Sequence, residues 1–319
     1  MGVLYLLSEG TRVSKEGPRL AVEKDGKLVG RLPLRSVDGI VIGCHAQITT
    51  QTIFTLLDQK IPVVYIDDRG NIVGHIQNTN QSPQRLFRQL NLFTDAASSL
   101  ELSCELVGEK INNQVNLLKQ YAKTKKSEEL NALAQKVRRY AERSTKAATL
   151  DELRGLEGMA SRYFFDAFEL ILDQTLWEWK GRSQHPGKDP VNALLNFGYA
   201  FLEREVRVSA LMCGLDLRIG FFHANDGRKD ALVFDLMEMF RQPVIDRLVL
   251  SLFNLKVMKP DDFERSKEEC RLTDEARLTW CTRYEEYMLR EYKEYGGKSP
   301  RDMILDRVRR FSTCIDRRK

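Results

Sequence analysis

The sequence predicts an α+β protein, with a small, mostly-β N-terminal domain followed by a larger all-α domain. Three observations predict it. From Val3 to about Gln77 the chain is a series of short β-favouring runs punctuated by turn residues. The polar stretch Gln77–Gln84, with Asn78, Asn80, Ser82 and Pro83, loses all periodicity. Beyond residue 85, apolar residues recur at three- and four-residue spacing almost to the end. Domains are therefore expected at residues 1–77 and 86–319, joined by a linker over 78–85.

In the first domain, Arg19–Glu23, the turn Asp25-Gly26, Lys27–Leu32 and Gly39–Ile42 read as strands and their punctuation. One helix interrupts them at Thr50–Lys60, where Thr49 caps the start and Ile53, Leu56 and Leu57 share a face. Ile61–Ile66, the turn Asp68-Arg69-Gly70 and Ile72–Ile76 then read as a closing hairpin. A domain of this size has little core of its own, so Val41, Val63, Val64 and Ile66 are expected to need cover from a second copy of the chain. In the second domain Leu153–Leu172 is a long amphipathic helix. Asp189 and Pro190 are a cap and first position for a helix running to Met212, which Gly214 stops. Val233–Phe240 and Asp246–Asn254 follow.

The 319 residues allow two domains with a sizeable core. With 42% apolar and 30% charged residues, the chain is neither disordered by composition nor rich enough in apolar runs for a membrane protein. No stretch approaches the ~20 apolar residues of a spanning helix, and Met1–Gly10 lacks the pattern of a secretory signal, so a cytoplasmic location is expected. The cysteines are scattered without a CxxC pair and read as reduced thiols with no catalytic task. Net charge is +5, which ordinary solvated surface explains as well as any partner does. Its distribution says more. Lysine and arginine cluster at Lys123, Lys125 and Lys126, at Lys136, Arg138, Arg139, Arg143 and Lys146, and near the C-terminus, in stripes that suit phosphate contact.

Three segments bring metal-competent side chains onto apolar ground. Glu157 stands between Gly155 and Gly158 in a predicted helix, where each glycine costs roughly 1 kcal/mol relative to alanine. Close approach of a backbone or a substrate is a reason for them. His223 follows Gly220-Phe221-Phe222 and precedes the turn-like Asn225-Asp226-Gly227. Asp235 and Glu238 sit three apart, on adjacent positions of one helix face, and repel unless a cation lies near. One imidazole and two or three carboxylates suit Mn²⁺ or Mg²⁺ and phosphodiester chemistry. Any one such residue is more often structural than a ligand, and His223 is equally suited to proton transfer. His185 lies in the basic loop Lys180–Lys188. Gly297-Lys298-Ser299 lacks the first glycine of a phosphate-binding loop, and HExxH, GxSxG and GxGxxG are absent.

Taken in order, Arg154-Gly155-Leu156-Glu157-Gly158, Asp189-Pro190-Val191-Asn192-Ala193-Leu194-Leu195, Gly220-Phe221-Phe222-His223 and Asp235-Leu236-Met237-Glu238 resemble the CRISPR-associated endonuclease and integrase of spacer acquisition, the Cas-one family. Each motif alone is weak and the ordered set is specific. The likeness extends over essentially the whole chain, Lys259-Pro260-Asp261-Asp262-Phe263 included.

The resemblance implies a β domain that mediates homodimerisation, an all-α catalytic domain, and a small second CRISPR adaptation protein as partner. It also implies a divalent-ion site whose ligands, carried over by position, are Glu157, His223 and Glu238, with Asp235 in a supporting or shared role. The implied reaction is attack by a DNA 3′-hydroxyl on a phosphodiester of a CRISPR repeat, joining spacer-precursor DNA to it. Double-stranded DNA would be held by its phosphates, through Lys180, Arg182, His185 and Lys188 or through Arg138, Arg139 and Arg143. A metal-dependent DNA-repair nuclease or resolvase, and a non-catalytic DNA-binding assembly subunit, are the competing readings.

Overall fold

The computed structural model describes residues 2–67, 72–76, 78, 83–183, 186–223 and 230–318. The predicted turns at Asp68-Arg69-Gly70 and Asn225-Asp226-Gly227, residue 77, residues 79–82 of the expected linker and His185 lie outside the described residues. The strand-rich start carries β1 (Gly2–Leu6), β2 (Thr11–Glu16), β3 (Arg19–Lys24), β4 (Lys27–Pro33), β5 (Val37–Gly43) and β6 (Gln47–Ile48). Helix α1 (Thr50–Asp58), β7 (Val63–Ile66) and β8 (Ile72–Ile76) complete it. Helices α2 (Pro83–Thr94), α3 (Ala96–Lys125), α4 (Glu128–Ser144), α5 (Leu150–Asp166), α6 (Phe168–Ile171), α7 (Gln174–Trp177) and α8 (Pro190–Met212) follow. Then come α9 (Ala231–Met237), α10 (Arg247–Asn254), β9 (Phe263–Arg265), β10 (Cys270–Leu272), α11 (Asp274–Leu289) and α12 (Pro300–Arg317). An α+β protein with a strand-rich start and a helix-rich remainder is what the periodicity predicts. The helix-rich part also carries one short antiparallel hairpin, β9–β10.

The chain forms two compact units. One comprises Met1–Asn91, Arg204–Leu217 and Arg301–Lys319, and the other Leu92–Glu203 and Arg218–Pro300. In the first, one sheet has the order β1-β5-β7-β8, parallel except for the last pair, and the other has the order β4-β3-β2-β6. Asp25 and Gly26 both take positive φ, 52° and 75°, as a tight β3–β4 turn requires. Thr49 caps α1 by accepting from the Thr52 N–H at 3.3 Å. Leu6, Val13, Leu20, Ile40, Leu56 and Val63 form the core.

The expectation that a second copy covers Val41, Val63, Val64 and Ile66 rested on a wrong premise, because all four are buried within a single chain. Helix α8 supplies cover at β5, where a Cβ added to Gly39 would lie 2.4 Å from Val208 Cγ1. Nothing in the periodicity marks these distant helical segments as returning to the strands. Val29 on β4 and Val73 on β8, both edge strands, are exposed, as are Leu28 on β4 and Phe54 on α1.

A buried ion pair holds those returning segments in the unit. Glu205 on α8 accepts from Arg301 on α12 through two bonds, at 2.7 and 3.1 Å, and from the Tyr5 hydroxyl on β1 at 2.9 Å. The side chains are 2% and 7% exposed, so neither charge has water to fall back on. Arg85 on α2 likewise forks onto Asp316 and donates to the Cys213 carbonyl.

In the second unit α3, α4 and α5 pack on one another, each opened by a side-chain cap, from Asp95, Ser127 and Thr149. The predicted helix Leu153–Leu172 is real but divides at Ala167 into α5 and α6. Asp189 caps α8 as expected, accepting from the Asn192 N–H at 2.9 Å. Between α9 and α10 the backbone widens into a π-helical turn, Arg241–Asp246, that contains Pro243.

Arg301→Met should lower stability by about 3–5 kcal/mol, because it strands the Glu205 carboxylate in the interior. Changing both partners, with Glu205→Leu added, should recover much of the loss. Thermal denaturation of the three proteins decides, and a single variant as stable as the wild type would remove the pair from its structural role.

Candidate metal centre

Asp235 on α9 is fully buried, and its carboxylate is surrounded by donors. Oδ2 accepts from the N–H groups of Phe221 and Phe222 at 2.5 and 3.1 Å. Oδ1 accepts from the N–H of His223 at 2.8 Å and faces His223 Nδ1 at 2.7 Å. An acceptor-only carboxylate obliges Nδ1 to donate, so in the neutral imidazole the lone pair lies on the ring's other nitrogen. Gly220 makes the loop's approach possible, since a Cβ there would stand 2.8 Å from both Asp235 Oδ2 and the Ala231 backbone. The two motifs around His223 and Asp235 are thus one structural device. Beside it opens a mostly apolar cavity of about 520 Å³, lined by His223, Arg154, Phe221, Leu100 and Leu150 among others.

Glu157 on α5 and Glu238, just past α9, converge on one nitrogen. Lys110 Nζ, from the buried face of α3, contacts Glu157 Oε1 and stands 2.6 Å from Glu238 Oε2. That Glu238 oxygen makes no hydrogen bond of regular geometry, so the contact to it is an ion pair rather than a directed bond. Glu157 Oε1 also accepts from the Ser161 hydroxyl at 2.8 Å, and Gln114 in turn donates to Ser161 at 3.1 Å. Arg241 lies 3.1 Å from Glu238 Oε1, with its guanidinium 4.6 Å from the Tyr199 ring centroid. Burial pushes the Glu238 carboxyl up, but Arg241, Lys110 and His223 outweigh it and hold its pKa at about 2. On the far side of Tyr199, Asp246 accepts from the tyrosine hydroxyl at 2.5 Å, yet burial still pushes its pKa up to about 6.

Among the described residues no three of His, Cys, Asp and Glu converge closely enough to hold an ion by themselves. The donor chemistry nevertheless fits a hard divalent cation. One half-buried and one buried carboxylate face one shared positive point, near an imidazole whose orientation is fixed by a carboxylate behind it.

The structure thus brings Glu157 to Glu238 and joins His223 to Asp235. Asp235 and Glu238 do not repel in the way the sequence suggested, because each has its own positive or donating partners. Among the described residues, nothing outside the helix's own backbone lies within 4 Å of a Cβ built at Gly155 or Gly158, so no described backbone approaches either glycine. Of the expected DNA contacts, Lys180, Lys188, Arg138, Arg139 and Arg143 are exposed. Arg182 is turned onto α8, donating to Asn192 and Asn196 at 2.8 and 2.6 Å. The sequence reading missed Lys110, Ser161 and Arg241. A lysine in register with Leu106, Val107 and Gln114 on the apolar face of α3 was the available signal.

The chain matches the family model described as CRISPR associated protein Cas1 over residues 4–286. It is 31% identical over 286 residues to CRISPR-associated endonuclease Cas1 1 of Thermus thermophilus, covering 90% of this chain and 86% of that one. A solved CAS1 protein from Thermotoga maritima has the same fold, with a TM-score of 0.81 at 22% identity over 100% of this chain and 98% of that one. A casposase bound to integration product is similar in fold as well, with a TM-score of 0.78 at 21% identity over 100% and 92%. With its ordered motifs and its match over nearly the whole length, the chain belongs to the Cas1 family of CRISPR-associated proteins.

Proposed function

We propose that the chain is a metal-dependent DNA endonuclease and integrase that inserts spacer DNA into a CRISPR array by 3′-hydroxyl attack on a repeat phosphodiester. The observation that carries this reading is the convergence of Glu157 and Glu238 on one cationic point, near a histidine that a buried aspartate orients. The names of the relatives agree with it, since they are endonucleases, and one protein of the same fold is a casposase bound to its integration product. Another belongs to a Cas6-RT-Cas1–Cas2 complex, which supports a small second adaptation protein as partner.

Glu157, Glu238 and His223 would hold a Mn²⁺ or Mg²⁺ ion, which supplies Lewis-acid polarisation of the phosphodiester and a more acidic 3′-hydroxyl. Asp235 fixes the imidazole by taking its Nδ1 proton in a hydrogen bond and by locking the backbone that carries it. The bare helix surface at Gly155 and Gly158 lets a DNA strand come close to Glu157. Exposed Lys180 and Lys188, and Arg138, Arg139 and Arg143 on α4, hold the duplex by its phosphates with little base readout. Among the described residues no helix is long and apolar enough to cross a membrane.

The deciding assay is strand transfer with Mn²⁺, a labelled duplex and a repeat-bearing plasmid. Glu157→Ala, His223→Ala and Glu238→Ala should each reduce transfer by roughly 10²-fold or more while duplex binding persists, and Asp235→Asn should cost about 10–100-fold. Lys180→Gln with Lys188→Gln should do the reverse, weakening binding to unrelated duplexes alike and flattening the salt slope by about 0.9 per lost phosphate contact. Near-normal Mn²⁺-dependent turnover in a ligand variant would strike that residue from the site. Hydrolysis without transfer would favour a repair nuclease instead.

Gly158→Ala should separate stability from activity. It should add roughly 1 kcal/mol to the helix and yet slow strand transfer, because the added methyl occupies the approach to Glu157. A variant both more stable and equally active would show that nothing approaches there.

The homodimer belongs to the same reading, with the strand-rich unit as its contact through edges that expose Val29 and Val73. Sedimentation should give a dimer at micromolar concentration that Val29→Lys with Val73→Lys weakens. A wild-type monomer would exclude it.

A further inference from the structure

Lys110 has no role in the reading above, although it occupies the centre of the site. It lies on the buried face of α3 beside Val107 and Ile111, and its side chain is 10% exposed. An ammonium leaves water at such a position only if opposite charge receives it. What receives it is the pair Glu157 and Glu238, the same two carboxylates that would bind a divalent ion. Arg241 is not equivalent, because it pairs with Glu238 and is held over the Tyr199 ring. Lysine is a compact charge on a flexible four-carbon stem and can be withdrawn without a helix moving.

We propose that Lys110 is a resident counter-cation, which neutralises Glu157 and Glu238 in the metal-free chain and surrenders both carboxylates to an incoming divalent ion. The inference rests on Glu157 and Glu238 being metal ligands. On this account the site is assembled before the ion arrives, since the ammonium keeps two like-charged carboxylates together. Metal binding is then an exchange of one cation for another, and it is weaker than the same carboxylates would give alone, because the Lys110 ion pairs must be broken first.

Calorimetric titration of MnCl₂ into the intact metal-free protein tests this, on the wild type, Lys110→Met, and a double variant with Glu157→Gln and Glu238→Gln. Lys110→Met should bind Mn²⁺ roughly tenfold more tightly or better, a direction opposite to that of a residue that merely supports the site. Its melting temperature should start below the wild type's without metal and rise further with Mn²⁺. Affinity unchanged or weakened in Lys110→Met, with binding abolished in the double variant, would overturn the exchange and leave the metal site standing. Wild-type affinity in the double variant would remove the ligands and the exchange together. If metal-free Lys110→Met does not fold, Mn²⁺ is titrated while helical circular dichroism is followed. Recovery supports the exchange, since the ion replaces the missing charge, and no recovery overturns it.

Discussion

Two carboxylates held side by side, Glu157 half-buried and Glu238 buried, are the constraint around which the helical unit is arranged. They come from segments far apart in sequence, and neither can lose water without positive charge at hand. Helix α3 meets this requirement with a polar row inside its apolar face. Lys110 reaches both carboxylates, Asn113 donates to the Met239 carbonyl at 2.8 Å, and Gln114 reaches Glu157 through Ser161. The Met239 carbonyl is available because Pro243, four residues on, has no N–H to offer it. The long helix therefore fixes α5 and the turn after α9 in one register, and the π-helical turn follows from the proline and from Arg241 having to face Glu238.

Much of the fold was legible because it is local. Alternation, the Asp25-Gly26 turn, the Thr49 cap and the Asp189-Pro190 start each act within a few residues, and each is where the sequence predicted it. The cover over β5 at Gly39 was not legible, because it comes from Val208, in a segment that carries no mark of its destination. In the candidate site the acids and the histidine stood out as polar residues on apolar ground. Their partners did not, since lysine and arginine are the ordinary currency of helix surfaces, and only the helical register of Lys110 distinguishes it from Lys119 or Lys123.

The glycines divide in the same way. Gly220 is required by the chain itself, for any side chain there would strike Asp235 and Ala231 and lift the Phe221 and Phe222 N–H groups from the carboxylate. Among the described residues Gly155 and Gly158 meet no neighbour beyond their own helix, so within that part of the fold alanine would serve better at both positions. On the proposed reading, a helix that forgoes that stability beside the half-buried Glu157 does so for the substrate.

Asp235 and Glu238 differ in a way that bears on which of them the proposed ion would meet. Asp235 spends both oxygens on three backbone N–H groups and an imidazole, and a metal could take it only by releasing the loop that presents His223. Glu238 holds no backbone donor through its side chain. It meets cations alone, Lys110 on one oxygen and Arg241 on the other. A charge held by charges can be exchanged at little structural cost, whereas a charge held by the backbone is part of the scaffold. In the proposed site Glu238 would therefore be the ligand, and Asp235, ringed by donors and three residues away, would be what orients the histidine.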